Sequence, residues 1–357
     1  MNNVLIEVDI SEYFRNIKFL RSRIPESTMF MAVVKANAYG LGAVKMAQSA
    51  VLAGADYLGV AHPEEGFELR NNEIKAPILL FSEPDQRYCH EIVHSQITQT
   101  IYTKEFAEAL NIYAGLQKIT AKVHIKVDSG MGRLGVKPHN LLDFIQFIMT
   151  LTNLEMEGIF THFANAGNIS SSFTMEQLIR FQSTLTLLEN AGIHIPIKHA
   201  ANSQAILNFP CSHLDMVRSG QATYANVFSI KSRIAHIKYL QANDPVGYNC
   251  AYVCSQPTYI ATVSAGYADG IPRKLNGKGR VLIRGRYYPI VGDVCMDILM
   301  VNLGSQPPDA DIGDEVVIIG KQGNNQITVD EICQASNKIF YEIPCGFGKR
   351  VPRIYIN

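Results

Sequence analysis

The stretch Met29-Phe30-Met31-Ala32-Val33-Val34-Lys35-Ala36-Asn37-Ala38-Tyr39-Gly40 decides how the chain is read. An apolar run that turns β-branched predicts a strand over 29–35, and that strand delivers one lysine at its end. Small residues, a tyrosine and a glycine follow, and helix-like sequence resumes near Ala43. A lysine that closes a buried strand is costly unless it has a partner or a task. One reading is an amine meant for an aldehyde, desolvated so that it is nucleophilic and forms a Schiff base. The other is a side chain snorkelling out of a strand end. The stretch alone weighs the two evenly.

The same alternation continues to about residue 220. Strand candidates are 29–35, 56–61, 76–82, 97–102, 121–127, 156–162, 195–199 and 214–218, all short and apolar. Amphipathic helix patterns lie between them at 43–53, 64–71, 104–113, 140–151 and 174–190. Pro63 opens one helix, and Gly54 and Gly192 follow the ends of two others. Eight strands alternating with helices predict a (β/α)8 TIM-type barrel, with a doubly wound sheet as the alternative. The reactive residues favour the barrel, because such barrels gather their active site at the carboxyl ends of the strands. Lys35 ends strand one, and Lys126 ends strand five with Arg133 just beyond it. Thr161-His162 ends strand six, His199-Ala200-Ala201-Asn202-Ser203 follows strand seven, and Arg218-Ser219-Gly220 follows strand eight.

Composition bounds the rest. With 357 residues there is room for a barrel and a smaller second domain. The 32 basic and 32 acidic side chains balance, which points away from nucleic acid and from anionic membranes as partners. The opening Met1-Asn2-Asn3-Val4-Leu5-Ile6-Glu7 lacks the basic and long apolar regions of a signal peptide. No run approaches the ~20 apolar residues that a membrane span needs. The seven cysteines are scattered, and no second pair joins Cys250 and Cys254 to make a zinc site. They read as reduced thiols in a cytoplasmic protein without a metal.

After Phe228 the chain changes character. Lys231-Ser232-Arg233 leads into strand patterns at 259–263, 280–283, 287–291, 298–303 and 315–319, with a short helix at 329–337. Arg284-Gly285-Arg286 predicts a hairpin turn with Gly285 at positive φ. A barrel domain over 1–229 and a smaller β-rich domain over 230–357 are expected, with the short strand 4–8 able to pair with the second.

Several stretches together resemble the alanine racemases. They are Val34-Lys35-Ala36-Asn37-Ala38-Tyr39-Gly40, Lys126-Val127-Asp128-Ser129-Gly130-Met131-Gly132-Arg133, Val246-Gly247-Tyr248, Gly266-Tyr267-Ala268-Asp269-Gly270, Cys295-Met296-Asp297 and Arg350-Val351-Pro352-Arg353. They cover nearly the whole chain in the family's order. The resemblance implies a pyridoxal 5'-phosphate enzyme that interconverts L- and D-alanine, which bacteria use in peptidoglycan. It also implies a homodimer in which the β domain reaches into the partner's barrel.

Removing the α-proton of an amino acid demands an electron sink, which the pyridoxal imine supplies. By resemblance Lys35 holds the cofactor and serves as base for the D-enantiomer. Tyr248 from the other subunit serves the L-enantiomer on the opposite face. A free tyrosine has a pKa near ~10, so one in this role has to be perturbed or hydrogen-bonded. Arg218 faces the pyridine nitrogen and His199 orients it. The resemblance places Tyr39, Asn202, Ser203, Gly220, Gln221 and Tyr341 around the cofactor, mostly at its phosphate, and His162 beside its ring. Arg133 takes the substrate carboxylate as a donor fork. Met296, Asp297 and Tyr267 come from the partner subunit, and two tyrosines at the mouth suit a one-carbon side chain. The resemblance implies carbamylation of Lys126, while the residues alone leave an unmodified lysine equally open. Without the resemblance, Tyr248 reads as a buried strand tyrosine, His199 as a satisfied core histidine, and Tyr341 as a cover for the β domain.

The chain departs from the family at Leu41, where a histidine is common, and at Gln221-Ala222-Thr223-Tyr224-Ala225. Serine or broad-specificity racemisation, a cofactor carrier without racemase activity and a decarboxylase remain as other readings. An acidic partner for the pyridine nitrogen would mark the decarboxylase, and Arg218 stands in that place.

Overall fold

The structure is a computed structural model and describes residues 4–357. Strand β1 (Leu5–Asp9) comes first, then the eight barrel strands. These are β2 (Met29–Val33), β3 (Tyr57–Val60), β4 (Ile78–Leu80), β5 (Thr98–Ile101), β6 (Ala121–Lys126), β7 (Leu154–Phe160), β8 (Ile197–His199) and β9 (Met216–Ser219). All pair in parallel, and β2 meets β9 through Met29↔Met216 to Ala32↔Ser219, so the sheet closes and the doubly wound alternative is excluded. Most strands are shorter than their apolar runs, because the ends of the runs belong to the loops that carry the polar groups, while β7 keeps its length and starts two residues earlier. Met31, Tyr57, Leu79, Phe160 and Met216 pack as one buried cluster.

The five expected helices form at Ala43–Leu52, Pro63–Asn71, Lys104–Gln117, Leu141–Ile148 and Phe173–Asn190. Pro63 sits in the first turn of its helix, and Thr103 accepts the Phe106 N–H to cap the next. Gly54 and Gly192 follow two helix ends at φ 99° and 74°. Helices outside the expected ranges form at Ile10–Arg21, Cys89–His94, Ser203–Asn208 and Glu342–Cys345.

The chain divides into two compact units. One takes in Tyr13–Ala38 and Ala43–Ala225, and the other takes in the chain up to Glu12, Tyr39–Gly42 and Asn226–Asn357. The second unit is a mixed sheet of nine strands. It is organised by a strand the sequence reading missed, β10 (Phe228–Leu240). A two-residue ribbon, β11 (Pro245–Val246) with β12 (Tyr252–Val253), precedes β13 (Thr258–Val263), β14 (Arg280–Ile283), β15 (Arg286–Val291), β16 (Leu299–Gly304), β17 (Glu315–Gln322), β18 (Asn325–Ile327) and β19 (Arg353–Ile356). Antiparallel pairings run β10–β13–β16–β15–β14–β17 and return to β10, a ring of strands. Strand β1 pairs antiparallel with β10 and parallel with β19. The β10 sequence hid because Lys231 interrupts its apolar pattern; the amine is matched by Glu7 at 2.7 Å and Glu315 at 3.3 Å. Arg284 and Gly285 both take positive φ (45° and 75°), which makes the expected hairpin a primed turn. No helix among the described residues is long and apolar enough to cross a membrane.

Candidate active site

After β2, the chain does something the sequence did not announce. Ala36, Asn37, Ala38 and Tyr39 have φ of 53°, 54°, 50° and 55°, a left-handed turn built without glycine. For L-residues this costs ~1–2 kcal/mol each. Local hydrogen bonds offset it. Glu65 accepts from Ala36 N at 2.5 Å and from Ala61 N at 2.8 Å, and Asn37 Oδ1 accepts from Ala43 N at 2.7 Å. Asn37 is the one member suited to this region by type. The turn fixes where the Lys35 side chain leaves the strand.

Three further strand ends bring their groups to the same place. Arg218 on β9 is 4% exposed, and donates to Thr161 O (2.8 Å), Ala200 O (2.9 Å) and His199 Nδ1 (2.9 Å). Its Nη2 lies 3.3 Å from His162 Nδ1. Burial pushes the guanidinium down to about 9, so it remains protonated at neutral pH, short of the full margin a free arginine has. Lys126 at the end of β6 is buried, with its amine 4.8 Å over the Phe160 ring and donating to Val127 O at 3.3 Å. Burial first, then the charges of Arg218 and Arg133, hold that amine well below the usual lysine range. Arg133 stands on a loop curled by Asp128, which accepts from Gly130 N (3.1 Å), Gly132 N (2.9 Å) and Lys137 Nζ (2.6 Å). His162 registers the gathering: burial and then Arg218, Lys126, Arg133 and Lys35 all hold its ring neutral.

Beside β9, Ser203 Oγ accepts from Gly220 N (2.9 Å) and Ala222 N (3.4 Å). Asn202 caps the helix Ser203–Asn208, accepting from Ala205 N at 3.1 Å, so its side chain shapes the backbone there. The atypical Gln221–Tyr224 stretch is a short 3-10 turn whose Tyr224 hydroxyl donates to Val33 O at 3.0 Å. His199 is indeed a satisfied core histidine, stacked on Phe160 with centroids 4.6 Å apart, and it also holds Arg218.

The second unit carries its own group. Tyr248 and Tyr267 line one cavity of about 450 Å³ with Arg273, Asp293, Val294 and Cys295. Tyr248 is 70% exposed, which corrects its reading as a buried strand tyrosine. Met296 is exposed as well. Arg350 ties the two motifs by donating to Asp269 (2.7 Å) and Asp297 (2.8 Å), so Asp297 is occupied by an arginine of its own chain. Tyr267 N and Ala268 N donate to Cys295 O (3.0 Å) and Met296 O (2.9 Å). A Cβ on Gly266 would lie 2.2 Å from Met296 O, so only glycine allows this approach. Tyr39 and Tyr341 pack with ring centroids 5.4 Å apart, and Leu41 is fully buried.

The donor set of the barrel fits pyridoxal phosphate. A lysine amine suits an aldehyde, a buried donor-only guanidinium suits a ring nitrogen, and hydroxyl and backbone N–H groups around Gly220 suit a phosphate. Fold and donors together define a class, the pyridoxal phosphate barrels that carry an appended β unit. The alanine racemase N-terminal domain profile matches residues 8–226 and the C-terminal domain profile matches residues 227–355. An alanine racemase from Desulfovibrio desulfuricans is 39% identical over 367 aligned residues, covering 99% of this chain and 98% of that protein. The crystal structure of alanine racemase from D-cycloserine-producing Streptomyces lavendulae superposes with TM-score 0.94 at 33% identity, over 100% of this chain and 98% of that one. The Bartonella henselae alanine racemase, described with covalently bound pyridoxal phosphate, gives TM-score 0.89 at 29% identity over 99% of both chains. The chain belongs to the alanine racemase family.

Proposed function

We propose that this protein interconverts L- and D-alanine with pyridoxal 5'-phosphate held on Lys35. The observation that carries this reading is a buried Arg218 at the end of β9, bonded to His199 and 3.3 Å from His162 Nδ1, in a barrel whose first strand leads into Lys35 and in a chain of this family. Bound pyridoxal phosphate supplies the electron sink for the α-proton's departure. Lys35 would hold the cofactor by its aldehyde group, and its Nζ would take or return a proton on one face of the substrate. Arg218 would donate to the ring nitrogen while keeping its own proton. His162 packs beside the ring. Tyr39, Ser203, Gly220, Gln221 and Tyr341 hold the phosphate, with Asn202 fixing the turn that presents Ser203. Arg133 takes the substrate carboxylate. Lys126, its amine pushed down by burial, is suited to add carbon dioxide with release of a proton to solvent; carbamylated, it presents an anion to Arg133 in place of a second cation.

The working unit is a homodimer. The expected boundary at 229/230 moves to Ala225/Asn226, with the first strand joining the β domain, and each β domain completes the other subunit's site. The partner subunit's Tyr248 exchanges the proton on the opposite face. The partner subunit's Tyr267, the partner subunit's Met296 and the partner subunit's Asp297 wall the substrate side, which suits a methyl side chain. Support comes from Tyr248, Tyr267 and Met296 standing exposed on their own unit. The reaction supplies D-alanine for peptidoglycan, in the cytoplasm.

Chiral chromatography of L-alanine, L-serine, L-lysine and L-arginine, each incubated with the protein and pyridoxal phosphate, tests the reading. D-alanine forming far faster than the other products is expected. Comparable turnover of several substrates would move the chain to a broad-specificity racemase. No racemisation with cofactor bound would overturn the reading.

A further inference from the structure

A line of buried polar side chains runs down the inside of the barrel, away from the strand ends. Arg218 Nη1 lies 2.9 Å from His199 Nδ1, His199 Nε2 lies 2.9 Å from His124 Nδ1, and His124 Nε2 lies 3.3 Å from Glu157 Oε2. Both histidines are fully buried. The Glu157 carboxylate also accepts from the Tyr57 hydroxyl, and from Lys122 Nζ at 2.5 Å. Lys122 is half exposed at the opposite end of the strand that ends in Lys126.

The two ends of this line differ in kind. A guanidinium only donates, and a carboxylate only accepts. A neutral imidazole donates from one nitrogen and accepts at the other. Arg218 therefore requires a lone pair at His199 Nδ1, which puts the proton on His199 Nε2. That proton points at His124 Nδ1, which in turn puts the His124 proton on Nε2, aimed at Glu157. Every bond runs in one direction, and each tautomer follows from the two ends. Burial alone raises the Glu157 carboxyl, but hydrogen bonds from His124, Lys122 and Tyr57 outweigh it and hold the group down to about 2, so the acceptor end is an anion at neutral pH. An amide at this position donates as well as accepts. The line is then free to reverse, and the reversed form sets His199 Nδ1–H against an Arg218 N–H.

We infer that Glu157 is a positioning residue for Arg218: through His124 and His199 it fixes the lone pair that holds the guanidinium toward the cofactor's ring nitrogen. The target of Arg218 rests on the proposed cofactor reading; the direction of the line does not.

Histidine-selective 15N NMR of the full-length protein, recorded with and without pyridoxal phosphate, tests it. The wild type should show Nε2–H tautomers for His124 and His199, protected from solvent exchange. Glu157→Gln should add an Nδ1–H form of His199, shift the absorbance of bound cofactor, and lower kcat about tenfold at unchanged KM for alanine. Lys122→Met leaves the carboxylate in place and should keep the wild-type tautomers. An Nδ1–H tautomer of His199 in the wild type overturns the inference even if Glu157→Gln fails to fold. So do unchanged tautomers together with wild-type kcat in Glu157→Gln. Wild-type tautomers as stated in a protein that binds no pyridoxal phosphate would overturn the cofactor reading and support the line.

Discussion

The barrel and the β unit hold their reactive groups in opposite ways. Arg218 is 4% exposed and fastened by several acceptors, whereas Tyr248 is 70% exposed. The barrel has built its groups against its own core, where desolvation does chemical work: it moves the Arg218 guanidinium to about 9 and pushes the Lys126 amine well below the usual lysine range. The β unit instead leaves its tyrosine projecting into solvent. A buried site residue declares itself through its partners in one chain, and an exposed one through the cost of leaving an aromatic in water.

The comparison breaks most sharply at Lys35. Lys35→Ala should remove the visible absorbance of bound cofactor and lower racemisation by at least ~10⁴-fold, the upper end of what one positioned proton-transfer group contributes. Retained absorbance with normal turnover would remove Lys35 from the site. Tyr248→Phe comes next. It should leave cofactor absorbance and thermal stability unchanged, since the hydroxyl is exposed, and cut turnover by ~10²–10³-fold. A variant as fast as wild type would show that the β unit contributes no proton. Mixing Lys35→Ala with Tyr248→Phe sharpens the test: subunit exchange should restore part of the activity when each β unit serves the other barrel, and none when each serves its own.

Arg350→Ala is expected to do less. Its carboxylate partners, Asp269 and Asp297, lie on the two loops that carry Tyr267 and Met296. The pair with Asp297 is exposed and contributes little to stability, and the buried Asp269 keeps its bond from Gly266 N. The loops stay joined through backbone bonds, so the shift should be small. A roughly tenfold rise in KM for alanine is expected, below the ~10²-fold that a full 1 Å misplacement costs. Equal loss of melting temperature and activity would instead make Arg350 a structural residue.

Much of this was legible before the structure. The strand ends carrying Lys35, Lys126, His162, His199 and Arg218 were readable because polar residues closing apolar runs stand out. The left-handed turn after Lys35 was not, since Ala36, Ala38 and Tyr39 have no preference for positive φ and the compensating Glu65 lies 29 residues on. Strand β10 hid behind Lys231 and Arg233, whose charges suit a strand with one solvated face. The interior line had a signal that went unused. Lys122, His124 and Lys126 alternate on one strand, so Lys126 pointing inward carries His124 inward with it. Glu157 gave no such clue. The pairing of β6 with β7 slips between Val123 and His124, and that irregularity decides which β7 side chain turns toward His124.

The smallest expected effect tests that slip energetically. The Glu157 carboxyl is held down to about 2 in the folded chain, against ~4.3 for a free glutamate. A depressed carboxyl contributes stability that is fully present above ~4.3 and is lost as pH falls through about 2. Wild type should therefore lose stability relative to Glu157→Gln as the medium is acidified, because only the wild type has a proton to take up at this site. Urea unfolding of both proteins at neutral pH and at steps below ~4.3 reads the difference directly. The gap between the two should stay constant down to that point and narrow beneath it. A gap that does not change with pH would mean the carboxylate is no better held in the barrel than in the unfolded chain. The bonds from His124, Lys122 and Tyr57 would then favour the anion no more than water does, although the carboxylate would still be ionised at neutral pH.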